Sequence, residues 1–112
     1  MKITINKKTY LVKFGFGALR ILCKKWNVKT IGGLDPFFKK LDFKDEPSFE
    51  QWDLIGDLAL AGVEYANPKS NFTTAELLDV LFKEPKKLQE LIEAFAESMP
   101  NNNAVNPETR GK

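Results

Sequence analysis

Among the 112 residues there is no histidine, a single cysteine and no long apolar run. The missing histidine removes the usual general base near neutral pH and the commonest metal ligand. Cys23 alone cannot close an internal disulfide, and without histidine it cannot form an ordinary Cys–His nucleophilic pair. This agrees with a reducing compartment. No apolar stretch approaches the roughly 20 residues of a membrane-spanning helix, so no membrane contact is expected. The opening Met1-Lys2-Ile3-Thr4-Ile5-Asn6 has no apolar signal core, and a cytoplasmic location is the expectation. Gly15-Phe16-Gly17-Ala18-Leu19-Arg20 lacks the third glycine and the parallel βαβ setting of a dinucleotide loop. Asp42, Asp45 and Glu46 lack the alternating ligands and the glycine of an EF-hand. The expectation is a non-enzyme with no cofactor, no metal and no catalytic residues.

What is present describes a small globular chain. Hydrophobic residues make up 43% and charged residues 29%, which suits one domain with its own core. That domain is expected over residues 1–100. After Pro100, residues 101–112 have almost nothing to bury and are expected to form a flexible tail. The net charge of +2 hides an asymmetry: residues 1–50 carry eleven Lys/Arg against five Asp/Glu, or +6, and residues 51–112 carry six against ten, or −4. The basic residues fall largely as doublets (Lys7-Lys8, Lys24-Lys25, Lys39-Lys40), the pattern of solvated turns and helix faces. Nucleic acid is therefore not the expected partner.

Hydrophobic periodicity supplies the fold class. Residues 3–14 alternate apolar and polar on either side of Asn6-Lys7-Lys8, the pattern of a β-hairpin. From Phe16 the period changes to helical, with Phe16, Leu19, Leu22, Cys23 and Trp26 on one stripe and Cys23 read as core. Gly32-Gly33 breaks this helix, and a short amphipathic one is expected from Leu34 to Leu41. Ser48 and Gln51 form a capping box for a long, central helix ending at Asn67-Pro68. Thr73 and Glu76 repeat the box ahead of Leu77, Leu78, Leu81 and Phe82, and Pro85 suits the first turn of a last helix carrying Leu88, Leu91, Ile92, Phe95 and Met99. The expected fold is α+β and mainly α: an N-terminal β-hairpin followed by a bundle of about four to five helices.

Nine phenylalanines and two tryptophans are many for one small core. Phe37, Phe38, Phe43 and Phe49 crowd the segment between the Gly32-Gly33 break and the central helix, with Trp52 a turn further on. These five are the candidate partner-binding residues, because an apolar patch left exposed there suits a macromolecular partner.

Ile3-Thr4-Ile5-Asn6-Lys7-Lys8-Thr9-Tyr10 followed by Val12-Lys13-Phe14-Gly15-Phe16-Gly17-Ala18-Leu19 resembles the I-N-G-K-x-Y-x-x-x-F-G opening of tail assembly chaperones of long-tailed phages. Lys7 stands where those proteins often have glycine. The later order, a long helix ending Glu64-Tyr65-Ala66-Asn67-Pro68, then residues 73–81 and a closing amphipathic helix, is similar to theirs. The resemblance implies a non-enzymatic assembly factor that binds the tape measure protein, and possibly the major tail (tube) protein, in the host bacterial cytoplasm and is not in the mature virion. Many such genes also yield a longer frameshifted product, whose extension would follow the Asn-rich tail. Two other classes stand beside this one: a small phage or prophage regulatory or nucleic-acid-binding protein, and a structural tail component.

Overall fold

A computed structural model describes residues 1–41 and 46–98. Phe43, Met99 and the expected tail lie outside the described residues. Strand β1 (Lys2–Ile5) pairs antiparallel with β2 (Lys8–Leu11), with Ile5 opposite Lys8 and Ile3 opposite Tyr10. The turn is therefore two residues long, Asn6 and Lys7, and Lys8 already belongs to the second strand. Both turn residues are left-handed, with φ of 51° and 69°, as a type I′ hairpin turn requires. Val12 N–H donates to the Met1 carbonyl at 2.8 Å and carries the pairing one step further. Ile3, Ile5 and Val12 are buried on one face, while the Thr4 and Thr9 hydroxyls meet at 3.3 Å on the other.

Five helices follow: α1 (Phe16–Lys25), α2 (Asp35–Lys40), α3 (Phe49–Ala66), α4 (Thr74–Lys83) and α5 (Pro85–Ser98). This is the expected α+β, mainly α fold. Both capping boxes form. Ser48 Oγ accepts from Gln51 N–H at 3.2 Å and Gln51 Oε1 from Ser48 N–H at 2.8 Å; Thr73 Oγ1 and Glu76 Oε1 do the same at 3.2 and 2.9 Å. Gly32 and Gly33 do not simply interrupt the chain but lie within a 3₁₀ turn, Ile31–Leu34, capped by Thr30 Oγ1 on Gly33 N–H at 3.2 Å. One turn of 3₁₀ is short enough to tolerate glycine's entropy, which a longer α-helix would not.

Helix α3 is the axis of the molecule, and α1, α4, α5 and β2 all pack on it. At Gly62 the chain leaving the hairpin crosses so closely that a Cβ would lie 2.7 Å from Val12 Cγ1 and 3.0 Å from Phe14 Cζ. Lys13 N–H donates to the Gly62 carbonyl there at 3.2 Å. The core is completed by fully buried Leu22, Leu34, Ile55, Leu58, Leu77, Leu81, Leu91 and Phe95. Phe14 and Phe38 each meet Phe95 in a T-shaped contact, with ring centroids 5.8 and 5.6 Å away, which binds α5 to the hairpin exit and to α2. No helix among the described residues is long and apolar enough to cross a membrane.

Two stripe residues are not in the core. Phe16 is 70% exposed and Phe82 71% exposed. The buried arc of α1 centres on Ala18, Leu19, Leu22 and Cys23, so Phe16 falls on its border beside Arg20. In α4 the buried line is Leu77–Leu81, and Phe82 lies one residue, about 100°, beyond it.

Candidate partner-binding surface

The aromatic residues singled out in the sequence divide into two groups. Phe37 and Phe38, on α2, are half-buried and engaged. The Phe37 ring stacks on Trp26 at 4.6 Å with an interplanar angle of 16°, and Lys40 Nζ lies 5.7 Å from its centroid. Phe38 presents to Phe95. Trp26 is itself held: its Nε1–H donates to Asp57 Oδ2 at 2.8 Å, and Lys25 Nζ lies 3.6 Å from Asp57 Oδ1. Both rings therefore fasten α2 to the bundle.

Phe49 and Trp52 form the second group, with Phe82 added. Phe49 stands on the first turn of α3 and is 88% exposed. Trp52 is one turn further along the same face, half-buried, with its ring 6.1 Å from that of Phe82 at an angle of 67°. The Trp52 and Phe82 rings thus meet where the start of α3 lies beside the end of α4, and Phe49 projects into solvent one turn before Trp52. Gly56 permits this, since its missing Cβ would otherwise lie 3.1 Å from Leu78 Cδ1 and 3.2 Å from Thr74 Cβ. In the sequence Phe82 stands with Leu77, Leu78 and Leu81 among the apolar positions of this helix. The signal that separates it is the Leu78–Phe82 line, which rises away from the buried Leu77–Leu81 line.

The base of this surface is well tied. Gln51 Nε2 donates to the Lys40 carbonyl at 2.7 Å, and Lys40 Nζ pairs with Glu50 Oε1 at 3.3 Å, so the start of α3 is joined to the end of α2. Asp53 and Asp79, both exposed, stand near Phe49 and Phe82 at helical spacing. Exposed aromatic area of this kind gains roughly 25 cal/mol for each Å² removed from water. A rigid apolar patch with a charged margin can hold an apolar segment and confers no bond-making chemistry.

Elsewhere, an open cleft of about 650 Å³ lies between Tyr10 and the connection from Asn67 to Phe72. Its walls include the Tyr10–Phe72 edge contact at 4.7 Å, and Ser70 Oγ is buried with no hydrogen-bond partner among the described residues. Cys23 is buried, as read from the sequence; its thiol donates to the Thr30 carbonyl at 3.7 Å, and burial pushes its pKa up. Among the described residues, no group of three or more His, Cys, Asp or Glu is placed to hold a metal ion. No family model, curated protein or solved structure matches the chain.

Proposed function

We propose that this chain is a tail assembly chaperone of a long-tailed phage or prophage, which holds the tape measure protein in the host cytoplasm until the tail tube encloses it. The observation that carries the reading is the Phe49–Trp52–Phe82 surface: two exposed phenylalanine rings beside a half-buried tryptophan on a well-capped scaffold. The order of elements, a hairpin opening into α1 and a long central helix, is the order that the resemblance implies. Tape measure proteins are long and aggregate before they are enclosed, so a holding partner needs apolar contact and no catalysis. Such a factor leaves before the virion is complete. The tube protein is a second partner of the same kind.

Co-expression with the tape measure protein of the same genome tests the proposal. The two should co-purify, and the tape measure protein should be more soluble with this chain than without it. Trp52→Ala should weaken the complex by more than about 1 kcal/mol, as expected of a tryptophan at a hot spot. No co-purification, with solubility equal in both cases, overturns the reading.

A further inference from the structure

The hairpin has an edge whose backbone the fold leaves open. Met1 and Val12 exchange two hydrogen bonds, Val12 N–H donating to the Met1 carbonyl at 2.8 Å and the Met1 amine to the Val12 carbonyl at 3.3 Å. Bonded and non-bonded pairs alternate along an antiparallel ladder, so Tyr10 and Lys8 also bond to β1, while the N–H and C=O groups of Thr9 and Leu11 point away from it. Of these four groups, the Leu11 carbonyl accepts from Asn67 Nδ2 at 2.8 Å. Thr9 N–H, Thr9 C=O and Leu11 N–H have no hydrogen-bond partner among the described residues, and both residues are exposed.

The cleft of about 650 Å³ between Tyr10 and the connection from Asn67 to Phe72 adjoins this edge. Tyr10 faces the same side of the sheet as its buried partner Ile3, and Asn67, whose amide reaches the edge, also lines the cleft. The walls are mostly apolar; among the described residues the one charged group in them is Lys69. Lys8 stands two residues from Tyr10 on the same face of β2. Both lysines are exposed, and neither joins an ion pair among the described residues.

We propose that the outer edge of β2 binds an extended peptide segment of another protein as a third strand. An apolar side chain of the peptide enters the cleft between Tyr10 and Phe72, and a carboxylate meets Lys69 or Lys8. The occupant is a peptide because the open groups run donor, acceptor, donor along one strand edge, which a second backbone complements. Its alternate side chains would face the cleft, so the edge supplies affinity and the cleft selectivity. A second copy pairing through the same edge would instead gather two sets of Lys8 and Lys69 about a short contact, where like charges oppose it. The edge is separate from the Phe49–Trp52–Phe82 patch and does not depend on the chaperone reading.

Amide exchange and peptide selection on the full chain test this. In the free protein the Thr9 and Leu11 amides should exchange at least about tenfold faster than those of Lys8 and Tyr10. Random peptides of about ten residues, selected on the immobilised protein, should yield sequences that alternate apolar and polar residues and carry Asp or Glu. The selected peptide should slow the Thr9 and Leu11 amides at least about tenfold. Methylating its backbone nitrogens one at a time should abolish binding at alternate positions only, the period of a strand. Thr9→Pro removes an outward N–H and no bond of the hairpin, and should lower affinity at least about tenfold. Lys69→Glu should lower it with an unchanged melting curve, and this variant and the methylation series decide the matter if Thr9→Pro disturbs the hairpin. The proposal is overturned if no peptide is enriched, or if methylation acts without alternation. It is equally overturned if the Thr9 and Leu11 amides are already slow in the free chain. Release of those amides on dilution would then assign the edge to a second copy, and release on removing residues 101–112 to the chain's own tail.

Discussion

The Trp26 indole and the Asp57 carboxylate join α1 to α3 through a 2.8 Å hydrogen bond, and the Lys25 ammonium lies 3.6 Å from the other oxygen of the same carboxylate. Trp26 Nε1–H is a donor only, so with Asp57 gone it would sit half-buried without this acceptor. Asp57→Ala should therefore cost about 1–2 kcal/mol in urea unfolding, and Asp57→Asn, which keeps an acceptor, less than half of that. Equal losses in the two variants would assign the effect to charge instead of the hydrogen bond.

The hairpin turn has a correctable strain. Lys7 holds φ 69°, where a side chain with a Cβ is disfavoured by roughly 1 kcal/mol and glycine is not. Lys7→Gly should raise the melting temperature by about 3–5 °C despite the added freedom of the unfolded chain. A lowered melting temperature would mean that Lys7 contributes a contact that outweighs the backbone term.

At Gly62 two effects oppose each other, and their sizes decide the sign. Alanine would gain about 1 kcal/mol of helix propensity. Its Cβ would also press on Val12 and Phe14 within 2.7–3.0 Å, in a buried contact where overpacking costs about 1–3 kcal/mol. Gly62→Ala should be destabilising on balance, as a chemical denaturation curve will show.

Exposure separates phenylalanines that the sequence presents alike. Phe95→Ala should cost about 3–5 kcal/mol, since that ring is fully buried and receives Phe14 and Phe38. Phe49→Ser and Phe82→Ser should stay within about 0.5 kcal/mol of the wild type in thermal melts. The contrast locates the surface patch independently of any partner.

For Cys23, burial raises the thiol above its ordinary pKa of 9.0, so the folded state favours the protonated form. Its contribution to stability is fully present below the unfolded value and is lost as pH rises from there through the raised folded value. Melts compared between about pH 8 and about pH 10.5 should show the wild type losing more stability than Cys23→Ala. Parallel losses would show that the thiol does not titrate differently in the two states.

Much of this fold was legible because its signals are local. Ser48 with Gln51 and Thr73 with Glu76 set two helix starts within four residues each, and Pro85 marked a third. The hairpin followed from alternation, though the turn proved one residue shorter than Asn6-Lys7-Lys8. The site was legible only in part. Phe49 and Trp52 belong to the exposed patch, but Phe37 turned inward because Trp26, eleven residues earlier, offers it a flat face at 4.6 Å. Nothing local could say so. The places of Phe16 and Phe82 depend on how far each helix is rotated about its axis, which neighbours decide; on periodicity alone, a residue at the border of an apolar arc reads the same as one inside it.

Asn67 Nδ2 donates to the Leu11 carbonyl at 2.8 Å across 56 residues of chain, and β1 packs against α4, which is further on still. A two-stranded hairpin is marginal by itself in water. On a ribosome adding roughly 5–20 residues per second, the buried faces of Ile3, Ile5 and Val12 would wait about 4–14 seconds for the helices that cover them. The hairpin is made before the helices that give it a fixed place.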